Sequence, residues 1–165
     1  MTKVKTVKID GEDIYIFNSV LYILEASAGW SLILDMIVTE ITQERYKKEE
    51  NLILEIELED GRVFNSIMHI QPIPGGLPQL SLYTYIDDAN EYPDVMIVNE
   101  NETSFPRIDQ DLTIEEIRKV EMPQVKVKLN LTLPIDQAEW IAGKKKKELD
   151  QILRTAIYDF WGKSE

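Results

Sequence analysis

Residues Leu52 to Ile70 read LILEIELEDGRVFNSIMHI, and the prediction of the fold starts from this pattern. Before Asp60-Gly61, apolar residues at even positions alternate with mostly acidic ones, so a strand here has one apolar face and one charged face. Asp60-Gly61 predicts a hairpin turn, because a type I′ turn needs positive φ at both central residues. A two-residue loop places Leu58 opposite Val63 and Leu54 opposite Ile67, whereas a three-residue loop with a bulge at Gly61 shifts the register by one. Either loop predicts an antiparallel pair with one face made for a core.

Other strand signals extend this pattern into a mostly β domain. Residues 3–16 contain a second hairpin pattern around Asp10-Gly11. Residues 18–30 fit either a strand or a short helix, whereas residues 31–41 and 80–86 alternate as strands do. Residues 95–98 add a short apolar run. We therefore expect a mainly β, open small barrel or roll of antiparallel hairpins.

The stretch from Thr113 to Met122 predicts a short turn anchored by Ile114 and Ile117, then a closing strand that carries Val120 and Met122. Together with the acidic-Gly hairpin, this pattern resembles SH3-like and Sm-like barrels, whose sheets bend around such a hairpin. The resemblance implies a small barrel in the middle third of the chain. The second motif that makes Sm proteins RNA binders is missing from the sequence, so the resemblance does not imply RNA binding.

The C-terminal part has the cleanest strand pattern and the only long helical pattern. In residues 125–133, Val and Leu at odd positions alternate with Lys, Asn and Thr, which predicts a strand. Residues 136–161 repeat apolar side chains every three or four positions, with Asp136 as a helix cap and a kink or break expected at residues 143–147. We therefore expect a β-rich domain over residues 1–133 and a C-terminal helix over residues 134–165, α+β overall. The helix would pack on that domain or on a partner.

Composition and charge narrow the classes of function. The chain has 165 residues and no cysteine, which excludes disulfides and thiolate sites, and it lacks a long apolar segment at its start. We expect a cytoplasmic protein with no membrane partner, or a virion component if a phage encodes it. The net charge is −12, divided into −3 for residues 1–50, −11 for residues 51–122 and +2 for the rest. Such a field favours basic partners and disfavours nucleic acid.

The residues give no indication of catalysis. His69 is the single histidine, and the sequence contains no nucleophile elbow, P-loop, Rossmann glycine pattern or zinc-binding helix. Asp87 and Asp88 begin an oxygen-rich turn that lacks the spacing of an EF-hand loop, so we interpret it as solvated. We therefore expect a protein that is not an enzyme and has no cofactor or metal.

Two groups of residues are candidates for protein–protein contact. One is acidic, and the other is aromatic and lies in the C-terminal helix. They comprise Glu55, Glu57, Glu59, Asp60, Asp87 and Asp88, and then Trp140, Phe160 and Trp161. We expect a non-enzymatic interaction or assembly module that binds itself or a basic protein, of the kind found among phage virion components and small inhibitors of host systems. An acidic inhibitor or nucleic-acid mimic is an alternative.

A second alternative comes from three short matches in the C-terminal part. LNLTLP at residues 129–134, EWI at 139–141 and ILRTAI at 152–157 resemble the strand, first helix and second helix of ribbon-helix-helix DNA-binding proteins. In those dimers, alternate strand residues enter the major groove. The resemblance implies DNA contacts by Lys126, Lys128, Asn130 and Thr132. The connection between the helices is about three residues shorter than that family's and lacks its Gly-x-Ser turn.

Overall fold

The computed structural model describes residues 3–73, 75–108 and 111–162. It confirms a mostly β, α+β protein whose eight-stranded sheet does not close into a barrel. The strands are β1 (Val4–Ile9), β2 (Glu12–Ile14), β3 (Asn18–Ala26), β4 (Gly29–Ile37), β5 (Asn51–Leu58), β6 (Val63–Gln71), β7 (Gln79–Ile86) and β8 (Met96–Asn99). Their order in the sheet is β2-β1-β5-β6-β7-β4-β3-β8, and every neighbouring pair is antiparallel except β3 with β8.

The described residues form four α-helices, α1 (Glu40–Tyr46), α2 (Ile114–Val120), α3 (Ile135–Ala142) and α4 (Lys146–Trp161). Contacts divide the chain into two compact units, one ending at Gln124 and the other beginning at Val125. That division lies nine residues before the boundary expected from the sequence. The sheet, α1 and α2 belong to the first unit, and α3 and α4 to the second.

The central hairpin has the bulged loop rather than the two-residue loop. Glu57 pairs with Val63 and Ile56 with Phe64, and Gly61 has φ 89°. The amide of Leu58 donates to the carbonyl of Arg62 at 2.9 Å. The expected pairing of Leu58 with Val63 is therefore wrong by one residue. A shift of one residue moves every side chain of the shifted strand to the other face of the sheet. Val63 and Ile67 consequently lie exposed beside the acidic residues.

The first hairpin forms as expected between β1 and β2. Asp10 and Gly11 both have positive φ, as a type I′ turn requires. The ambiguous stretch 18–30 is a strand followed by a turn, so β3 pairs along its whole length with β4. Its branched and aromatic residues favour a strand once a neighbouring strand is present.

One face of the sheet holds the main core of the first unit. On β5 every even-numbered residue is buried, and on β4 Leu32, Leu34 and Met36 are buried as well. Burying each such side chain contributes about 1.5–3 kcal/mol. The apolar residues of the alternation quoted from the sequence are therefore part of the core.

The closing strand expected near Val120 and Met122 is wrong. Thr113 and Glu116 form a capping box at the N-terminus of α2. The helix begins at Ile114 and continues through Val120, where a strand was expected. Met122 lies beyond the helix, with no strand pairing among the described residues. Ile117 is fully buried, so the predicted anchor is correct although the element is a helix. Without a closing strand, the SH3-like or Sm-like closure does not form.

The C-terminal helical pattern breaks where the sequence indicated. α3 ends at Ala142 and α4 begins at Lys146, with Gly143 as the C-cap of α3. Asp136 is not the cap, since α3 already begins at Ile135 behind Pro134. The strand expected over residues 125–133 is also absent, because no described segment pairs with it. A strand needs a neighbour for its backbone groups, and alternation alone does not provide one.

Candidate interaction surfaces

The acidic face of β5 is partly neutralised by β1. Glu57 accepts hydrogen bonds from Lys5 Nζ at 2.9 Å and from Thr6 Oγ1 at 3.1 Å, and these bonds hold its pKa below the usual range. Lys8 Nζ lies 3.8 Å from a carboxylate oxygen of Glu55. Pairing of β1 with β5 places these opposite charges next to each other. The two glutamates therefore share one face, but that face is less negative than the sequence suggested.

Asp60 lies in the hairpin loop and forms a salt bridge with Arg62, so its charge is partly neutralised. Arg62 Nε donates to Asp60 Oδ2 at 2.9 Å, and this bond lowers the pKa of Asp60. The same guanidinium donates to the carbonyl of Pro93 at 2.6 Å and lies 3.9 Å from Asp94. Arg62 thereby ties the central hairpin to the loop between β7 and β8.

The other acidic candidates are exposed on turns. Glu59 lies in the hairpin loop, and its backbone amide donates to the carbonyl of Lys3 at 2.9 Å. Asp88 caps a short 3-10 helix over Ala89–Glu91 and accepts from the amide of Asn90 at 2.9 Å. Asp87 is exposed beside it. Asp88 therefore has a local structural role, as turn aspartates commonly do.

The aromatic candidates all belong to the second unit and are exposed. Trp140 is 54% exposed, Phe160 77% and Trp161 62%. Lys144 Nζ lies 4.8 Å from the centre of the Trp140 ring, a cation–π distance. Trp140 also lines an apolar recess of about 430 Å³. The other residues that line it are Leu131, Leu133, Asp136, Gln137 and Ile141.

The whole of the second unit has an exposed apolar surface. None of residues 125–162 is buried. Val125, Val127, Leu129 and Leu131 are between 60% and 80% exposed. The four residues of the DNA alternative, Lys126, Lys128, Asn130 and Thr132, lie between them in sequence and are exposed too. The structure thus shows two helices that follow an exposed, alternating segment, with no core to hold them.

Sequence reasoning missed a polar row on the face of the sheet opposite the core. Ser81 Oγ donates to Asp35 Oδ1 at 2.5 Å, and Gln71 Nε2 donates to Ser81 Oγ at 2.8 Å. Ser81 is buried and Asp35 half-buried, and burial raises the pKa of the Asp35 carboxyl. Burial and the nearby Asp35 charge raise the pKa of Tyr22 to about 12. The only signal in the sequence was a lone carboxylate in an apolar strand.

Asp35 also lines a recess of about 420 Å³. Its other walls are Gln79, Pro106, Arg107 and Ile108. The Arg107 side chain is exposed, and no carboxylate of a described residue lies within 4 Å of its guanidinium. The recess therefore has a partly buried carboxylate on one wall and, on another, a guanidinium that forms no salt bridge with any described residue.

The comparisons with known proteins give no family. No family model matches the chain, and no curated protein or solved structure matches it significantly. In the part of the chain that the structure describes, no three His, Cys, Asp or Glu side chains are grouped so that they could hold a metal ion. None of the described helices is long and apolar enough to cross a membrane.

Proposed function

We propose that this protein is a non-enzymatic assembly module in which residues 125–162 of one copy fold against the same residues of a second copy. The observation that carries the proposal is that this unit has many large apolar side chains and buries none of them. Isolated helices shorter than about 12–15 residues are marginal in water, and α3 has eight residues. The unit therefore needs a second surface to bury its apolar residues.

The apolar residues of α4 are spaced for such a surface. Leu149, Ile152, Leu153, Ile157 and Phe160 follow one another at intervals of one, three and four, which places them along one face of the helix. A helix with this pattern is stabilised when that face packs against another element. The first unit has its own core, formed by residues of the sheet and the elements packed on it.

A second copy fits because residues 125–133 are complementary to themselves. If two identical segments pair antiparallel about a two-fold axis at Leu129 or Asn130, odd positions face odd positions and the apolar side chains of both copies share one face. Each lysine then faces an uncharged residue of the partner subunit. An axis at Lys126, Val127 or Lys128 would instead place two lysines opposite each other.

The free energy gained by burying these apolar side chains is large enough to offset the cost of forming a dimer. Each exposed apolar side chain that becomes buried contributes about 1.5–3 kcal/mol. Association costs about 4–15 kcal/mol, so burying the Val and Leu residues of two segments together with the helix faces is enough to offset it. The second unit carries a net charge of only +2, so its repulsion for its copy is small.

The test is the mass of the full chain in solution by light scattering over a range of concentrations. We expect a dimer. Leu131→Glu places a charge on the shared apolar face and should give a monomer. Thr132→Glu is the matched control: it adds the same charge on the other face, opposite a lysine of the partner subunit, and should leave the dimer intact. A wild-type chain that stays monomeric at all concentrations, or a Leu131→Glu variant that dimerises normally, would contradict the proposal.

Duplex DNA is a second candidate ligand, favoured by a specific observation. The second unit has an alternating segment followed by two helices joined by three residues, the order that ribbon-helix-helix proteins have. In the paired arrangement, Lys126, Lys128, Asn130 and Thr132 would lie together on the polar face, and they can contact bases or phosphates. The acidity belongs to residues 1–124, which carry −14, and at physiological salt charges are screened over about 8 Å.

Fluorescence anisotropy with labelled duplexes at several salt concentrations tests this candidate. We expect binding that weakens as salt rises, and a Lys128→Glu variant that binds more weakly and with a shallower salt dependence. Lys48→Glu makes the same charge change in the first unit and should change neither property. If no duplex binds at low salt, or if both variants bind alike, DNA is not the ligand and the assembly proposal is unaffected.

A further inference from the structure

The recess beside Asp35 has features that self-association does not use. Asp35 lies near the middle of β4, and its register partners are Val20 on β3 and Ser81 on β7. The bonds from Gln71 to Ser81 and from Ser81 to Asp35 hold one carboxylate oxygen in place. Three adjacent strands thus orient this side chain, as a binding site on a rigid sheet requires.

The carboxylate lacks the cation that such a position normally needs. Partly buried charges are usually paired, because burial disfavours the charged form. Among the described residues, the hydrogen bond from Ser81 is the single polar contact of Asp35. The Tyr22 phenol, whose pKa burial and the Asp35 charge raise to about 12, is neutral and supplies no positive charge. A cationic group from outside would offset the cost of burying the carboxylate.

A cationic side chain, Arg107, lines the same recess and does not form a salt bridge with Asp35. The Arg107 guanidinium and the Asp35 carboxylate are more than 4 Å apart, since no salt bridge joins them. Pro106 and Ile108 supply apolar wall to the recess, and Gln79 supplies an amide. At about 420 Å³ the recess is within the size range of small-molecule sites.

We propose that this recess binds a small zwitterion of the amino-acid class. Its ammonium group donates to Asp35, its carboxylate accepts from Arg107, and its side chain contacts Pro106 and Ile108. A ligand with both charges matches two opposite charges that do not neutralise each other, whereas a simple amine or a simple carboxylate leaves one of them unpaired. This site is in the first unit and is independent of the proposed self-association.

The test measures binding to the full-length protein by thermal shift and by saturation-transfer NMR. The probes are the standard L-amino acids, each with two analogues: the amine that lacks the carboxylate and the N-acetyl derivative that lacks the ammonium group. We expect at least one amino acid to bind and both of its analogues to bind about tenfold more weakly or not at all.

Two variants and two controls locate the site. Asp35→Asn and Arg107→Gln should each weaken binding by about tenfold, since each removes one charged hydrogen bond. Glu50→Gln and Arg154→Gln remove the same charges at exposed positions elsewhere and should not change it. Asp35→Asn removes a charge that burial disfavours, so a folding defect should not obscure the result. The proposal is overturned if no amino acid binds, if the amine alone binds equally well, or if the variants bind like wild type.

Discussion

Asp35 is a half-buried carboxylate within a mostly apolar strand. Its neighbours in β4 on either side, Leu34 and Met36, are fully buried in the main core, whereas its own carboxyl lies on the other face of the sheet and accepts a hydrogen bond from Ser81. Burial raises the pKa of this carboxyl, so the native protein holds the proton more tightly than the unfolded chain does. The contribution of Asp35 to stability is therefore lost as pH rises from its ordinary pKa of 3.8 through the raised value.

The substitution Asp35→Asn should consequently increase the free energy of unfolding at neutral pH. Asparagine keeps an oxygen that can accept from Ser81 and removes the charge. The gain should shrink as pH falls and vanish below 3.8, where the aspartate is protonated in both states. Urea unfolding of both proteins as a function of pH measures the difference, and Asp87→Asn is an exposed control. A variant that is less stable than wild type at neutral pH would show that the charged carboxylate stabilises the fold.

At the scale of single residues, sequence reasoning worked for the core and failed for the polar row. The alternation within β5 identifies its buried residues, because the pattern is local. The partner of Asp35 is 46 positions away along the chain. It becomes a partner only because β4 lies beside β7 in the sheet, which no local pattern reveals.

At the scale of elements, the central hairpin shows how one loop residue decides which side chains are buried. With the bulge at Gly61, Ile56 faces the core and is fully buried, whereas Ile67 is 60% exposed. The sequence allowed both registers, since Asp-Gly occurs in two-residue turns and in bulged loops. The strand positions were therefore predictable from residues 52–70, but the faces of β6 were not.

The two isoleucines of this hairpin provide a direct test of the register. Ile56→Ala should destabilise the protein by about 2–5 kcal/mol, because it leaves a cavity in the core. Ile67→Ala, the same substitution on the neighbouring strand, should cost about 0.5 kcal/mol or less. Urea unfolding followed by the circular dichroism of the sheet gives both values. A loss at Ile67 as large as that at Ile56 would instead support the two-residue loop.

For the whole molecule, composition and hairpin signals were sufficient to predict a mostly β, open fold. They were not sufficient to predict the strand order, because β1 pairs with β5 and β4 with β7 across long intervals of sequence. In the second unit, by contrast, a clear local pattern predicted an element that does not form. Residues 125–133 have the clearest strand pattern in the chain and do not form a strand, since the neighbour they need is not in the described part of the chain.

If that neighbour is a second copy, the two units should unfold differently. The first unit has its own core, so its thermal transition should not depend on protein concentration. The second unit obtains its core by association, so its transition should move to lower temperature on dilution.

More than half of the α-helical residues lie in α3 and α4, and the helical circular dichroism signal therefore reports mainly on the second unit. We expect this signal to be lost first on heating a dilute sample, while the sheet signal persists. In the Leu131→Glu variant the helical signal should be low at every concentration and the sheet transition unchanged. A helical signal that is the same at all concentrations would mean that α3 and α4 are stabilised within one chain.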